Sequence, residues 1–151
     1  MVVSEINSYR IALLQELGFA TVNPKEQDLV AVVTQETGDA GADVVFEVTA
    51  TQAGAEVMTQ LPRTRGRVVV VGIFSQPPKV DLHRFFWREL QLRGACVYEP
   101  EDFEQAIQFA SSGDLPLGRL ITETLPLEEV EKGFRQLETG GNVMKMLLEC
   151  S

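Results

Sequence analysis

Gly66-Arg67-Val68-Val69-Val70-Val71-Gly72 is the stretch that decides the fold. Valine is stiff at χ1 and packs well on a pleated surface, so four in a row between glycines favour extended backbone. Successive side chains on a strand point to opposite faces. A run without polar alternation therefore predicts a strand, 67–74, buried on both faces. Such strands belong to parallel sheets covered by helices on each side.

The chain on either side repeats the theme. Upstream, Ala42 to Val48 is a second β-branched run, and Thr51 to Leu61 reads as the helix between the two strands. Earlier still, Val2 to Ile6 reads as a strand and Asn7 as a helix cap. Tyr9, Leu13, Leu14 and Leu17 then form an apolar face that stops at Gly18. Phe19 to Val22 follows as a strand ended by Asn23-Pro24, and Leu29, Val30 and Val33 mark a helix that closes at Gly38. Downstream of Pro77-Pro78, an amphipathic piece from His83 to Trp87 leads to a strand, Leu90 to Tyr98, and a helix, Glu101 to Ala110, stopped by Gly113. The last third reads as a loop over Leu117 to Leu125, a helix from Leu127 to Leu137 ended by Gly140-Gly141, and a strand from Val143 to Glu149. Parallel strands alternating with helices need right-handed crossovers, so the pattern predicts a doubly wound α/β fold.

A chain of 151 residues buries roughly 70% of its unfolded surface, enough for one domain with a real core. The composition, 44% hydrophobic and 23% charged, is that of an ordinary globular protein, and no apolar stretch approaches membrane-span length. The net charge of −9 repels nucleic-acid phosphate and anionic lipid, and the 13 Lys and Arg residues form no basic run. Neither nucleic acid nor membrane is an expected partner. Two cysteines are too few for a disulfide framework, which points to a reducing cytoplasm. Cys96 falls inside a predicted strand and is expected to be buried; Cys150 is expected to be exposed. Neither has a neighbour at metal-ligand spacing, and the lone histidine, His83, reads as structural or solvated.

Glu5 ends a predicted strand just before a capped helix, where a carboxylate can accept hydrogen bonds from both hydroxyls of an adenosine ribose. A solvated turn residue would have the same local sequence. Likewise Gly72 either lets backbone approach a flat ring closely or merely closes a buried strand.

Longer matches bear on that choice. Val2-Val3-Ser4-Glu5-Ile6-Asn7-Ser8-Tyr9-Arg10, Glu16-Leu17-Gly18-Phe19-Ala20 and Val22-Asn23-Pro24 open the series. Gly41 to Val48, Gly66 to Gly72, Glu89 to Gly94, Leu120-Ile121-Thr122 and Lys145 to Glu149 continue it in order. Together they resemble the zinc-type medium-chain alcohol and polyol dehydrogenases from their second cofactor-domain strand onward. Tyr98 followed by Asp102-Phe103-Glu104 is similar to the polyol, butanediol and threonine dehydrogenase branch.

That resemblance implies the following. Residues 1–97 form a partial dinucleotide-binding domain and 98–151 a segment returning to the catalytic domain. Glu5 holds the adenosine ribose, Ile6 packs beside the adenine, and Arg10 reaches the ribose from its helix. Val48, Thr49 and Ala50 run alongside the cofactor. Val71, Gly72 and Ile73 face the nicotinamide, and the main chain at Ala95 and Val97 holds the carboxamide. A carboxylate at Glu5 repels a ribose phosphate, which implies NAD over NADP. Zinc is implied for the intact enzyme, with ligands outside this chain, and no catalytic residue is assigned within it. The substrate implied is a small alcohol or polyol. The strand 90–98 is expected to pair with its copy in a homodimer, helped by Phe85, Phe86 and Trp87.

In such enzymes the cofactor fold begins with a strand, a GxGxxG turn and a helix. This chain contains none of the three, so it is expected to be an incomplete Rossmann-type sheet with unpaired inner edges, a C-terminal fragment inactive alone. Two other readings share the pattern: a non-catalytic α/β assembly module, and an unrelated flavodoxin-like or receiver-type binding domain.

Overall fold

The computed structural model describes residues 1–114 and 116–150, and every β ladder in them is parallel. The chain opens with β1 (Val2–Ser4), α1 (Ser8–Glu16) and β2 (Ala20–Val22), with β1 pairing β2. Asn7 caps α1: its Oδ1 accepts hydrogen bonds from the amides of Tyr9 and Arg10 at 3.0 and 3.1 Å. The helix ends where Gly18 turns left-handed.

Next come α2 (Leu29–Glu36), β3 (Ala42–Glu47), α3 (Gln52–Val57), β4 (Pro62–Val70), α4 (Leu82–Trp87) and β5 (Gln91–Gly94). β3, β4 and β5 form one sheet in that order. Asp28, Thr51 and Asp81 cap the three helices through their side chains. The core of this part centres on Val68, Ala55 and Met58, with Val45, Val70, Phe74, Val80 and Phe85 packed round them. Burying a valine completely, as Val68 is, contributes about 2 kcal/mol.

The remainder holds α5 (Pro100–Ser112), a single helical turn α6 (Leu117–Leu120), β6 (Ile121–Pro126), a 3₁₀ turn (Leu127–Glu129), α7 (Val130–Glu138) and β7 (Lys145–Glu149). β6 pairs β7. Two compact units result: Met1–Lys25 together with the chain from Tyr98 onward, and Glu26–Val97. No helix among the described residues is long and apolar enough to cross a membrane.

Several expectations change in detail. The span read as a loop from Leu117 carries a strand, β6, because Ile121 to Pro126 finds a parallel partner in β7 and buries Leu125. The valine strand starts at Pro62 and stops at Val70; a register shift after Ala42 absorbs residues 63–66, where Arg65 sits at φ 60°. Its valines are not all buried: Val68 is, Val69 and Val70 are partly covered, and Val71 is exposed. β5 is shorter than 90–98 because β4 offers it no ladder beyond Val70. α3 ends at Val57, short of Leu61, and the helix expected from Leu127 begins with a 3₁₀ turn. Cys96 lies beyond the end of β5 and is exposed, not buried.

Candidate functional site

Both compact units place an acidic residue at the carboxyl end of a strand, ahead of a capped helix. In a parallel sheet those ends are where ligands bind, because the loops leading into the helices gather there.

In the unit that contains β1, the acid is Glu5. Its Oε1 accepts from the amides of Ile6 (2.7 Å) and Asn7 (2.9 Å), which fixes the carboxylate over the start of α1. Its Oε2 lies 3.7 Å from the Arg10 guanidinium, the only ion pair it makes among the described residues. One oxygen is thus held by the turn while the other keeps room for further donors. Arg10 is itself fixed from the other side, donating from Nε to the Val143 carbonyl at 2.9 Å. Asn7 Nδ2 donates to the Gly140 carbonyl at 3.1 Å, so the turn before β7 is tied to the start of α1 at two points. Ile6 is exposed beside them.

In the unit that contains β3, the acid is Glu47, which is only 3% exposed. Its backbone carbonyl accepts from Val71 N (2.8 Å) and Gly72 N (3.0 Å), continuing the β3–β4 contact past the end of the ladder. Its side chain accepts from the amides of Thr49 (2.9 Å) and Ala50 (3.1 Å) and from the Thr49 hydroxyl. Ala50 adopts φ 53°, a left-handed turn uncommon for a residue with a Cβ. Thr51 then caps α3 by accepting from Gly54 N. Gly72 is required where it stands: a Cβ there would lie 2.6 Å from Glu47 Oε2 and 2.7 Å from the Ala50 amide nitrogen.

The predicted residues of this unit therefore converge. Val48, Thr49 and Ala50 form one loop, Val71, Gly72 and Ile73 the next, and Glu47 joins them. Ala95 N donates to the Val70 carbonyl at 2.9 Å, which brings the segment after β5 alongside. Val70 to Ile73 and Gly94 to Val97 line an open groove of about 540 Å³. Val48, Val71, Ile73 and Val97 all expose apolar surface. Such a groove, lined by exposed apolar side chains, can receive a flat, largely apolar ring. A second depression, about 350 Å³, lies among Glu128, Glu129, Glu131, Lys132 and Arg135. Lys132 pairs with Glu129 and Arg135 with Glu131, so it is a solvated helix face.

Sequence reasoning passed over Glu47, although the signal was present: an acid closing a β-branched run, followed by Thr49 and Thr51. It is the same arrangement that singled out Glu5. No set of three His, Cys, Asp or Glu among the described residues is placed to hold a metal. His83 accepts a hydrogen bond at Nε2 from the Trp87 indole, 2.7 Å away, on the exposed side of α4.

Comparison with known proteins bears on this geometry. The family model for zinc-binding dehydrogenases matches residues 1–112. The 2-dehydro-3-deoxy-L-galactonate 5-dehydrogenase of Pseudoalteromonas atlantica is 44% identical over all 151 residues, which cover 44% of its own length. The (R,R)-butanediol dehydrogenase of Neisseria gonorrhoeae is 29% identical over 140 residues, covering 91% of this chain and 39% of that protein. Among solved structures, 2R,3R-butanediol dehydrogenase from Bacillus subtilis superposes with a TM-score of 0.87 at 25% identity, over 99% of this chain and 43% of that one. The expected incomplete doubly wound architecture agrees with that superposition. The chain thus spans less than half the length of the relatives it matches, and it belongs to the zinc-binding dehydrogenase family.

Proposed function

We propose that this chain is the cofactor-binding part, residues 1–97, and the C-terminal return segment, 98–151, of an NAD-dependent zinc dehydrogenase of secondary alcohols or polyols. The observation that carries the reading is the pair of strand-end acids, each fixed by backbone amides. Glu5 keeps Oε2 open toward a ribose, and Glu47 binds together the loops bordering the apolar groove. When bound, NAD would supply the hydride acceptor for oxidation of a secondary alcohol to a ketone, and Glu5 and the groove-lining residues would hold it. Glu5 accepts from the ribose hydroxyls, with Arg10 steadying it and Ile6 covering the adenine side. Val48, Thr49, Val71, Gly72 and Ile73 shape the two walls of the nicotinamide site, and main chain at Ala95 and Val97 meets the carboxamide. Glu5 disfavours NADP by repulsion between its carboxylate and the ribose phosphate. Zinc falls to ligands outside this chain, and none of the residues above is assigned to it.

The family places a phosphate-cradling GxGxxG turn ahead of the strand that holds Glu5, and the sequence here carries no such turn. The expected outcome of calorimetric titration is therefore no micromolar NAD affinity for the 151-residue chain by itself, and micromolar affinity for the longer polypeptide that carries it. A longer polypeptide that binds neither NAD nor NADP refutes the proposal; micromolar binding by the chain alone refutes the missing-turn argument. On this reading β5, Gln91–Gly94, pairs with its copy in a homodimer, since it is an edge of its sheet and Leu92, Phe86 and Trp87 expose apolar surface.

A further inference from the structure

Glu47 is the only buried acidic residue among the described residues, and no Lys or Arg pairs with it. Burying a carboxylate without a cation is costly unless hydrogen bonds fill its acceptor sites. Here the donors all come from one turn. Thr49 gives its amide and hydroxyl to Oε1, and the Ala50 amide is shared between Oε1 at 3.1 Å and Oε2 at 3.3 Å. That turn is left-handed at Ala50, a conformation that persists only when its surroundings enforce it. Glycines complete the enclosure. A Cβ at Gly54 would lie 2.5 Å from Glu47 Oε1, and one at Gly72 would lie 2.6 Å from Oε2. Meanwhile the Glu47 carbonyl grips the amides of Val71 and Gly72. One residue thus fixes two loops, through its side chain on one side and its main chain on the other.

We propose that Glu47 is a positioning residue of the cofactor site: its buried carboxylate sets the Val48–Ala50 turn at a fixed distance from Val71–Ile73, so that the nicotinamide slot is formed before the cofactor arrives. The inference rests on the cofactor reading above. A preformed slot loses less ordering entropy on binding, and the effect shows in cofactor affinity more than in fold stability.

Three variants separate positioning from mere stability in the longer polypeptide that carries this chain. Glu47→Gln keeps the size but sets an amide donor against the Ala50 N–H. Gly54→Ala leaves Glu47 intact and sets a methyl against Thr49 Oγ1 and 2.5 Å from Glu47 Oε1, which forces the hydroxyl and the carboxylate apart from their present contact. Val68→Ala removes core volume at a fully buried position that does not itself line the groove. The expected result is an NAD dissociation constant raised about tenfold in Glu47→Gln and Gly54→Ala, with the alcohol KM at saturating NAD unchanged within about twofold. Val68→Ala is expected to lower Tm at least as much while leaving NAD affinity as in the wild type. The proposal is overturned if Glu47→Gln and Gly54→Ala bind NAD normally, or if Val68→Ala weakens NAD to the same extent. Should Glu47→Gln fail to fold, Gly54→Ala decides alone. If the wild type binds no nicotinamide nucleotide, the cofactor reading fails and this inference with it. The turn itself is then still decided in the 151-residue chain by hydrogen exchange at Thr49 and Ala50: faster exchange in Glu47→Gln upholds its control by the carboxylate, and unchanged exchange refutes it.

Discussion

On the proposed cofactor reading, Glu5 and Arg10 together distinguish one nicotinamide nucleotide from another. The carboxylate has one oxygen committed to the turn and one facing the guanidinium 3.7 Å away. Removing it takes away an acceptor for ribose hydroxyls and at the same time frees a cation that favours phosphate. In the intact NAD-binding protein that this reading implies, Glu5→Ala is therefore expected to weaken NAD by about tenfold and to shift the balance of affinities toward NADP. Fluorescence titration with both nucleotides measures this, and unchanged constants for both mean that Glu5 serves only its turn. Glu5 was legible in the sequence because an acid before an Asn-capped helix is a local pattern. The partners of Arg10 and Asn7, the carbonyls of Val143 and Gly140, lie more than a hundred residues away along the chain and leave no local trace. Glu47 was hidden for a different reason: its role comes from burial, and burial belongs to the packed unit rather than to the short run Phe46-Glu47-Val48.

Capping side chains announce element starts in this chain more clearly than apolar patterns announce element lengths. Asn7 and Gly113 stand where the sequence places them, since a cap is a contact within four residues, while Thr51, read as the first residue of its helix, caps it instead. Asn7 goes further by also donating to Gly140, so Asn7→Ala loses the cap and the tie together. The expected cost is about 1 to 2 kcal/mol, read as a lower urea midpoint at unchanged slope. A loss of a few tenths only would mean that water replaces both contacts. Strand ends were less legible. A parallel strand lasts as long as its neighbour does, so β5 stops near the end of β4 although Leu90 to Tyr98 reads as extended throughout. β6 was missed because Ile121-Thr122-Glu123-Thr124 has little apolar content of its own and becomes a strand through β7.

At the scale of the whole molecule, two surfaces define what this chain joins. β5 forms an edge of its sheet, and Leu92 on it is half exposed. Because the monomer already leaves that side chain in solvent, Leu92→Lys is expected to keep the fold and turn a dimer into a monomer on size exclusion with light scattering. A wild-type monomer, or a dimer that tolerates the lysine, contradicts pairing through this strand. The other surface is the apolar groove beside the loop that Glu47 holds, whose meaning depends on the family to which the chain belongs. The central claim, that this chain supplies the nicotinamide side of a zinc-type dehydrogenase, is tested most directly by transplantation. The segment of the Pseudoalteromonas atlantica relative that aligns with this chain, 44% of its length, is replaced by these 151 residues, and NAD-linked oxidation of its own substrate is measured. The account predicts NAD-dependent turnover that weakens when Glu5→Ala is introduced; a folded chimera that retains its zinc yet binds neither NAD nor NADP would contradict it.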